Sequence, residues 1–248
     1  MTQKIFINLV LFSLFIFYGG CSKSDDNEIC HSGNVISSTD NICLAIEHGG
    51  LSDAERALIE SKVMSGLQSI NRLMPINDLR IRIVENAQLV IPEIGIGGYN
   101  PNEQEVMIAI EVSYPDLNAA LETNLIPILA HETHHAKRRR SVGYGNTLLE
   151  GVISEGLADH FSIEITGIQP PPWSIALNED ELQHWIETAS PSWNQNYNHA
   201  QWFLGTDPTI PKWTGYSIGF ELVQNYLKEN PNRLPSDLHD EPASSFAP

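Results

Sequence analysis

Apolar residues at Ala54, Leu58, Val63, Leu67, Ile70 and Met74 recur at helical spacing. Ser52 and Glu55 stand before them in capping-box spacing, so the pattern predicts a helix that ends ahead of Pro75. From Leu79 the period changes. "LRIRIVE" alternates strictly, as a half-buried strand does, and "EVMIAIEV" (105–112) is a second strong strand. Between them "VIPEIGIGGYN" is Gly-rich and β-prone, and Gly97 and Gly98 suit either a strand approached closely by another backbone or a tight turn.

Beyond residue 118 the pattern is helical. "LIPILAHETHHAKRRR" predicts a helix with Pro127 in its first turn and residues 137–140 in its last, where cations complement the negative end of the helix dipole. Leu148, Leu149, Val152, Ile153, Leu157, Phe161 and Ile165 mark a second helix, stopped by Gly167. Residues 168–213 carry Trp173, Trp185, Trp193, Trp202 and Trp213, which packing explains apart from one or two that suit a substrate-facing wall. "TGYSIGFELVQNYLKEN" predicts a final helix, and the Pro/Ser-rich end is expected to be poorly ordered. The fold class is therefore α+β: a small N-terminal mixed sheet with one site-bearing helix, then a mainly helical part. The domain is expected over residues 51–230, with a C-terminal tail at 231–248.

Ahead of it, residues 1–20 carry Lys4 and then an apolar run from Ile5 to Tyr18. The run is short of the roughly 20 residues that span a bilayer, and it reads as a signal peptide. Gly19, Gly20 and Cys21 resemble a bacterial lipoprotein cleavage site, although Tyr18 stands where Leu is usual. "SKSDDNE" resembles the acidic tag that sends some lipoproteins of Gram-negative bacteria to the cell surface, and it also serves as a plain solvated tether. Residues 21–50 are then a tether and irregular lead-in. These features place the chain in the cell envelope, as an outer-membrane lipoprotein exposed at the surface and attached to the membrane through a lipid on Cys21. With Cys21 so used, Cys30 and Cys43 remain as one possible disulfide, or as two free thiols. The net charge of −17 argues against nucleic acid as a partner, because binding a phosphate backbone requires cations.

The candidate chemistry lies in "LAHETHHAKRRR". On a helix His131 and His135, four apart, face the same way, Glu132 sits one step around, and His134 points elsewhere, toward packing or a hydrogen bond. A catalytic zinc needs three protein ligands and an open position. The extended motif H-E-x-x-H-x-x-G-x-x-H is excluded, since Arg138 and Ser141 occupy its glycine and third-histidine positions. The other route to a third ligand is a carboxylate on the following helix. Glu155 stands twenty residues after His135, and Asp159, one turn further on, is placed to accept the N–H of a ligating histidine.

"HETHH" followed at that distance by "EGLAD" resembles the gluzincin pattern of thermolysin-like metallopeptidases. More closely, "LAHETHHAKRR", "GYGNTLLEGVISEGLADHF", "PPW", "WFLG" and "GYSIGF" resemble a bacterial domain-of-unknown-function family described as predicted zinc-dependent proteases, over roughly residues 78–230 and most specifically over 127–162. The resemblance implies a zincin-like fold, Zn2+ held by His131, His135 and Glu155, and Glu132 as general base toward a zinc-bound water. The resulting reading is a zinc metallopeptidase acting on a protein or peptide substrate. It also calls for an oxyanion donor from downstream, for which Tyr216 in "GYSIGF" is the candidate and His199 the second choice. "GIGGYN" (95–100) offers an edge strand on which an extended substrate can lie. The rival readings are a zinc amidase acting on cell-wall peptides and a surface lipoprotein that binds without turnover.

Overall fold

Five strands form one mixed sheet: β1 (Asn34–Ser37), β2 (Ile42–Ile46), β3 (Leu79–Val84), β4 (Ile96–Asn102) and β5 (Glu105–Ile110), in the order β1-β2-β3-β5-β4. The computed structural model describes Ile29, Cys30 and residues 33–248. The expected leader at 1–20 and Cys21 lie outside the described residues. The parallel pair β2–β3 is joined by α1 (Asp53–Leu73), whose capping box of Ser52 and Glu55 is present as expected. β3 also pairs in parallel with β5, and β4 folds back antiparallel to β5 as the sheet's outer strand.

Two expected boundaries are corrected. Residues 34–46, assigned to the tether and lead-in, form β1 and β2, and Ile42, Cys43, Leu44 and Ala45 are all buried. β2 is buried on both faces and apolar throughout, so it lacks the alternation that marks β3. The end of the chain is the second correction. Leu238, Ala243 and Phe246 are buried in the helical core, with the Phe246 ring 4.4 Å from that of Tyr226, so residues beyond 231 pack rather than trail.

α1 and α2 (Leu117–Arg139) pack on the sheet around Ile59, Val63, Leu67, Ile81, Ile108, Leu121, Leu125 and Leu129. α2 is longer than expected: Asp116 caps it by accepting from Ala119 N at 3.2 Å, and Pro127 lies in its interior rather than its first turn. α3 (Leu148–Thr166) is apolar almost all round and buried through Ser162, as a central helix must be. Gly167 ends it at φ 68°. On its far side lie α4 (Glu179–Ala189), α5 (His199–Phe203) and α6 (Thr214–Glu229), which share a second core with the C-terminal residues. α3 and α6 touch backbone to backbone: a Cβ on Gly156 would stand 2.2 Å from Gly219 O, and one on Gly219 only 1.9 Å from Val152 O.

The basic run closing α2 does more than complement a dipole. Lys137 bonds Pro75 O at 2.6 Å, Arg139 bonds Asn100 Oδ1 at 2.6 Å, and Arg140 bonds Glu103 O at 2.7 Å and Asp78 O at 3.1 Å. Arg138, 2% exposed, reaches Ser154 Oγ at 3.2 Å, His239 O at 3.2 Å and Glu241 O at 2.9 Å. Burial pushes its pKa down to about 10. These bonds fasten the site helix to the sheet and to the C-terminal segment.

Cys30 and Cys43 are free thiols here rather than a disulfide, although they are neighbours. Burial, followed by the adjacent Cys30, pushes the Cys43 pKa up to about 12. No helix among the described residues is long and apolar enough to cross a membrane.

Candidate metal centre

The helical rise brings His131 and His135 to one face of α2, and α3, packed against that face, brings Glu155 and Asp159 to meet them. His131 Nε2 and His135 Nε2 stand 3.0 Å apart. Glu155 Oε2 lies 3.1 Å from the first and 3.5 Å from the second. His131, His135 and Glu155 are all buried or nearly so, with side-chain exposures of 13%, 5% and 5%.

The donor chemistry decides what such a cluster suits. Asp159 Oδ1 is 2.8 Å from His131 Nδ1, and a carboxylate only accepts, so the proton sits on Nδ1. His131 Nε2 is then left facing a second imidazole nitrogen and a carboxylate oxygen. In the neutral ring Nε2 keeps its lone pair, so two imidazole nitrogens and a carboxylate oxygen converge on one point, and a small cation satisfies all three. A tetrahedral ion with bonds of about 2.0–2.2 Å separates its donors by about 3.3–3.6 Å, within a few tenths of an ångström of the three separations seen. The residues fit a zinc-sized ion.

Without an ion, a proton on His131 takes its place. Burial disfavours a charged His131, but Asp159 and Glu155 outweigh it and hold its pKa well above the usual histidine value. Burial also disfavours a charged Glu155, yet His135 and His131 pull its pKa well below the usual range. The site thus keeps negative charge deep in the protein, paired with imidazole. His135 is pushed down, mainly by burial.

Asp159 is itself anchored. Its Oδ1 accepts from Trp173 Nε1 at 3.2 Å and its Oδ2 from Ser174 Oγ at 2.5 Å. Glu155 divides its oxygens: Oε2 faces the histidines, and Oε1 accepts from the Tyr144 hydroxyl. Sequence reasoning assigned no site role to Tyr144, Trp173 or Ser174. For Tyr144 and Trp173 the signal available was their place within "GYGNTLLEG" and "PPW", while Ser174 lies just beyond, and a lone side chain in a loop does not announce its partner.

Glu132, 7% exposed, turns from the histidine face toward β4, where a Cβ on Gly98 would stand 2.4 Å from its Oε1. Its carboxylate makes no hydrogen bond to a described residue, and burial lifts its pKa to about 8. Gly97 carries the opposite approach: a Cβ there would stand 1.8 Å from Leu89 O. Of the two readings of these glycines, the strand is the one observed, and each glycine admits a neighbour on its own face.

Tyr216, at the start of α6, packs its ring 4.9 Å from Phe203 and 6.4 Å from Trp173. Burial, with Glu155, Asp159 and Glu132 nearby, pushes its pKa well up, and its hydroxyl bonds no described residue. His199 stacks on Phe203 at 4.3 Å, with Nδ1 3.4 Å from the Tyr144 hydroxyl. His134 is fully buried beside Phe161, 5.4 Å between centroids, with neither ring nitrogen bonded, so its role is packing.

Fold and site together define an α+β protein with a buried His-His-Glu donor set and a carboxylate standing beside it. Residues 59–247 match the family model "Predicted Zn-dependent protease (DUF2268)", and the chain belongs to that family. The family's description makes zinc the ion to expect. No curated protein and no solved structure matches the chain.

Proposed function

We propose that the chain is a zinc metallopeptidase of gluzincin type on a zincin-like fold, cleaving protein or peptide substrates. The observation that carries this reading is the convergence of His131 Nε2, His135 Nε2 and Glu155 Oε2 within 3.5 Å of one another beside an uncommitted Glu132 carboxylate. His131, His135 and Glu155 would hold the ion, which when bound polarises a carbonyl and lowers the pKa of water.

The chain's own residues do the rest. Glu132 takes a proton from the water that attacks the carbonyl carbon and passes it to the amine nitrogen as the C–N bond breaks. Burial, which lifts the Glu132 pKa, favours the protonated carboxyl from which the second transfer starts. The Tyr216 hydroxyl, without a partner among the described residues, donates to the oxyanion. β4, the outer strand beside Glu132, supports an extended peptide by strand addition. Asp159 keeps His131 in the tautomer that presents Nε2.

The apolar run at Ile5 to Tyr18 and the Gly19-Gly20-Cys21 sequence support export and a lipid anchor on Cys21, hence a place in the cell envelope. The neighbouring thiols of Cys30 and Cys43 are positioned to pair in an oxidising compartment.

The test is digestion of a protein mixture and of peptidoglycan fragments by wild type and Glu132→Gln, with and without chelator. The proposal expects zinc-dependent protein cleavage that Glu132→Gln abolishes while keeping zinc. Cleavage confined to cell-wall peptides would favour the amidase, and zinc binding with no turnover on any substrate would favour a binding protein.

A further inference from the structure

We propose that Tyr144 is a positioning residue that occupies one oxygen of Glu155 and so presents the other, alone, to the metal. This deepens the zinc reading and rests on it. The Tyr144 hydroxyl donates to Glu155 Oε1, while Oε2 is the oxygen within 3.1 Å and 3.5 Å of the two histidine nitrogens. A glutamate free to rotate about its last bond presents either oxygen or both. A phenol fixed on one of them removes that freedom.

The surroundings are built to hold the phenol there. Tyr144 lies between Gly143 and Gly145, at φ 84° and 114°, in the left-handed region that glycine adopts without strain. A Cβ on Gly145 would stand 2.2 Å from Glu150 Cβ, so the loop must pass tight against α3. The Tyr144 carbonyl accepts from Ser154 Oγ, the residue immediately before Glu155, and Ser154 in turn accepts from the buried Arg138. The Tyr144 ring meets the edge of His135 at 5.2 Å between centroids, and the Arg139 guanidinium covers it at 5.2 Å. Backbone, ring and hydroxyl are thus each fixed by a different partner, and three of those partners are a metal ligand or its sequence neighbour.

The geometry also separates the two tyrosines near the cluster. Tyr144 spends its proton on Glu155 and is not available to an oxyanion, whereas the Tyr216 hydroxyl bonds no described residue.

The experiment measures zinc affinity of the full chain by chelator competition, together with the visible spectrum of the Co2+-loaded protein, for wild type, Tyr144→Phe and Ser154→Ala. Tyr144→Phe keeps the ring and removes only the hydroxyl. We expect it to weaken zinc binding by about 10- to 100-fold, the usual effect of losing a partner to a ligand, and to weaken the Co2+ bands as the carboxylate gains a second contact with the ion. Ser154→Ala, which loosens the loop but keeps the hydroxyl, should show a smaller loss of the same kind. It carries the test alone if Tyr144→Phe does not fold. Wild-type affinity and an unchanged Co2+ spectrum in Tyr144→Phe, or in Ser154→Ala where that variant stands alone, overturn the proposal. Failure of the wild type to bind either metal would instead sink the zinc reading, and this inference with it.

Discussion

A methyl group on the α-carbon of Gly98 would stand 2.4 Å from Glu132 Oε1 and 2.6 Å from its Cγ, so the edge strand forms a ceiling over the carboxylate of the site helix. The atoms met belong to a flexible side chain rather than to backbone. Gly98→Ala must displace that buried side chain, at an overpacking cost of about 1–3 kcal/mol, and so pushes Glu132 aside. A catalytic group moved by an ångström loses on the order of 100-fold in rate. We expect zinc content near wild type in the folded variant, with kcat reduced on that scale. Unaltered kcat would mean that Glu132 works from another position.

Burial lifts the Glu132 pKa from 4.5 to about 8. In metal-free protein the folded chain keeps a proton there that the unfolded chain has released. The contribution of Glu132 to stability is then fully present below pH 4.5 and is lost as pH rises through about 8. Glu132→Gln removes this dependence. In chelator, the stability of Glu132→Gln relative to wild type should rise between those two pH values and level off above them, as read by urea unfolding across the range. A difference independent of pH would contradict the shift.

Asp159 accepts from His131, Trp173 and Ser174 at once. Asp159→Ala frees the His131 ring and leaves two other donors unpaired, so zinc affinity should fall by about 10- to 100-fold. Isothermal titration would show it. Unchanged affinity would make Asp159 a packing residue.

Phe246, 4% exposed two residues from the end, seals the helical core against Tyr226. Phe246→Ala should destabilise the protein by about 3–5 kcal/mol, the usual cost for a core phenylalanine. A shift below about 0.5 kcal/mol in urea unfolding would return the C-terminal segment to the status of a loose tail.

What the sequence made legible was local. The Ser52–Glu55 cap, the alternation of β3, the stop at Gly167 and the four-residue spacing of His131 and His135 each depend on neighbours within a turn or two. What escaped depends on distant partners. β2 shows no alternation because both its faces are covered, and α2 runs through Pro127 because Asp116 starts it earlier. Arg138 finds its carbonyls about a hundred residues away, at His239 and Glu241, which is also why the C-terminal segment is ordered. Tyr144 touches Glu155 only because two glycines bend the chain back onto α3.

The central claim is that His131, His135 and Glu155 share one ion. Metal analysis of the folded chain after equilibration with zinc and removal of the excess, beside His135→Ala and Glu155→Ala, tests it most directly. The account predicts one zinc per wild-type chain and little in either folded variant. A folded wild type without zinc, or variants that retain it in full, would contradict it.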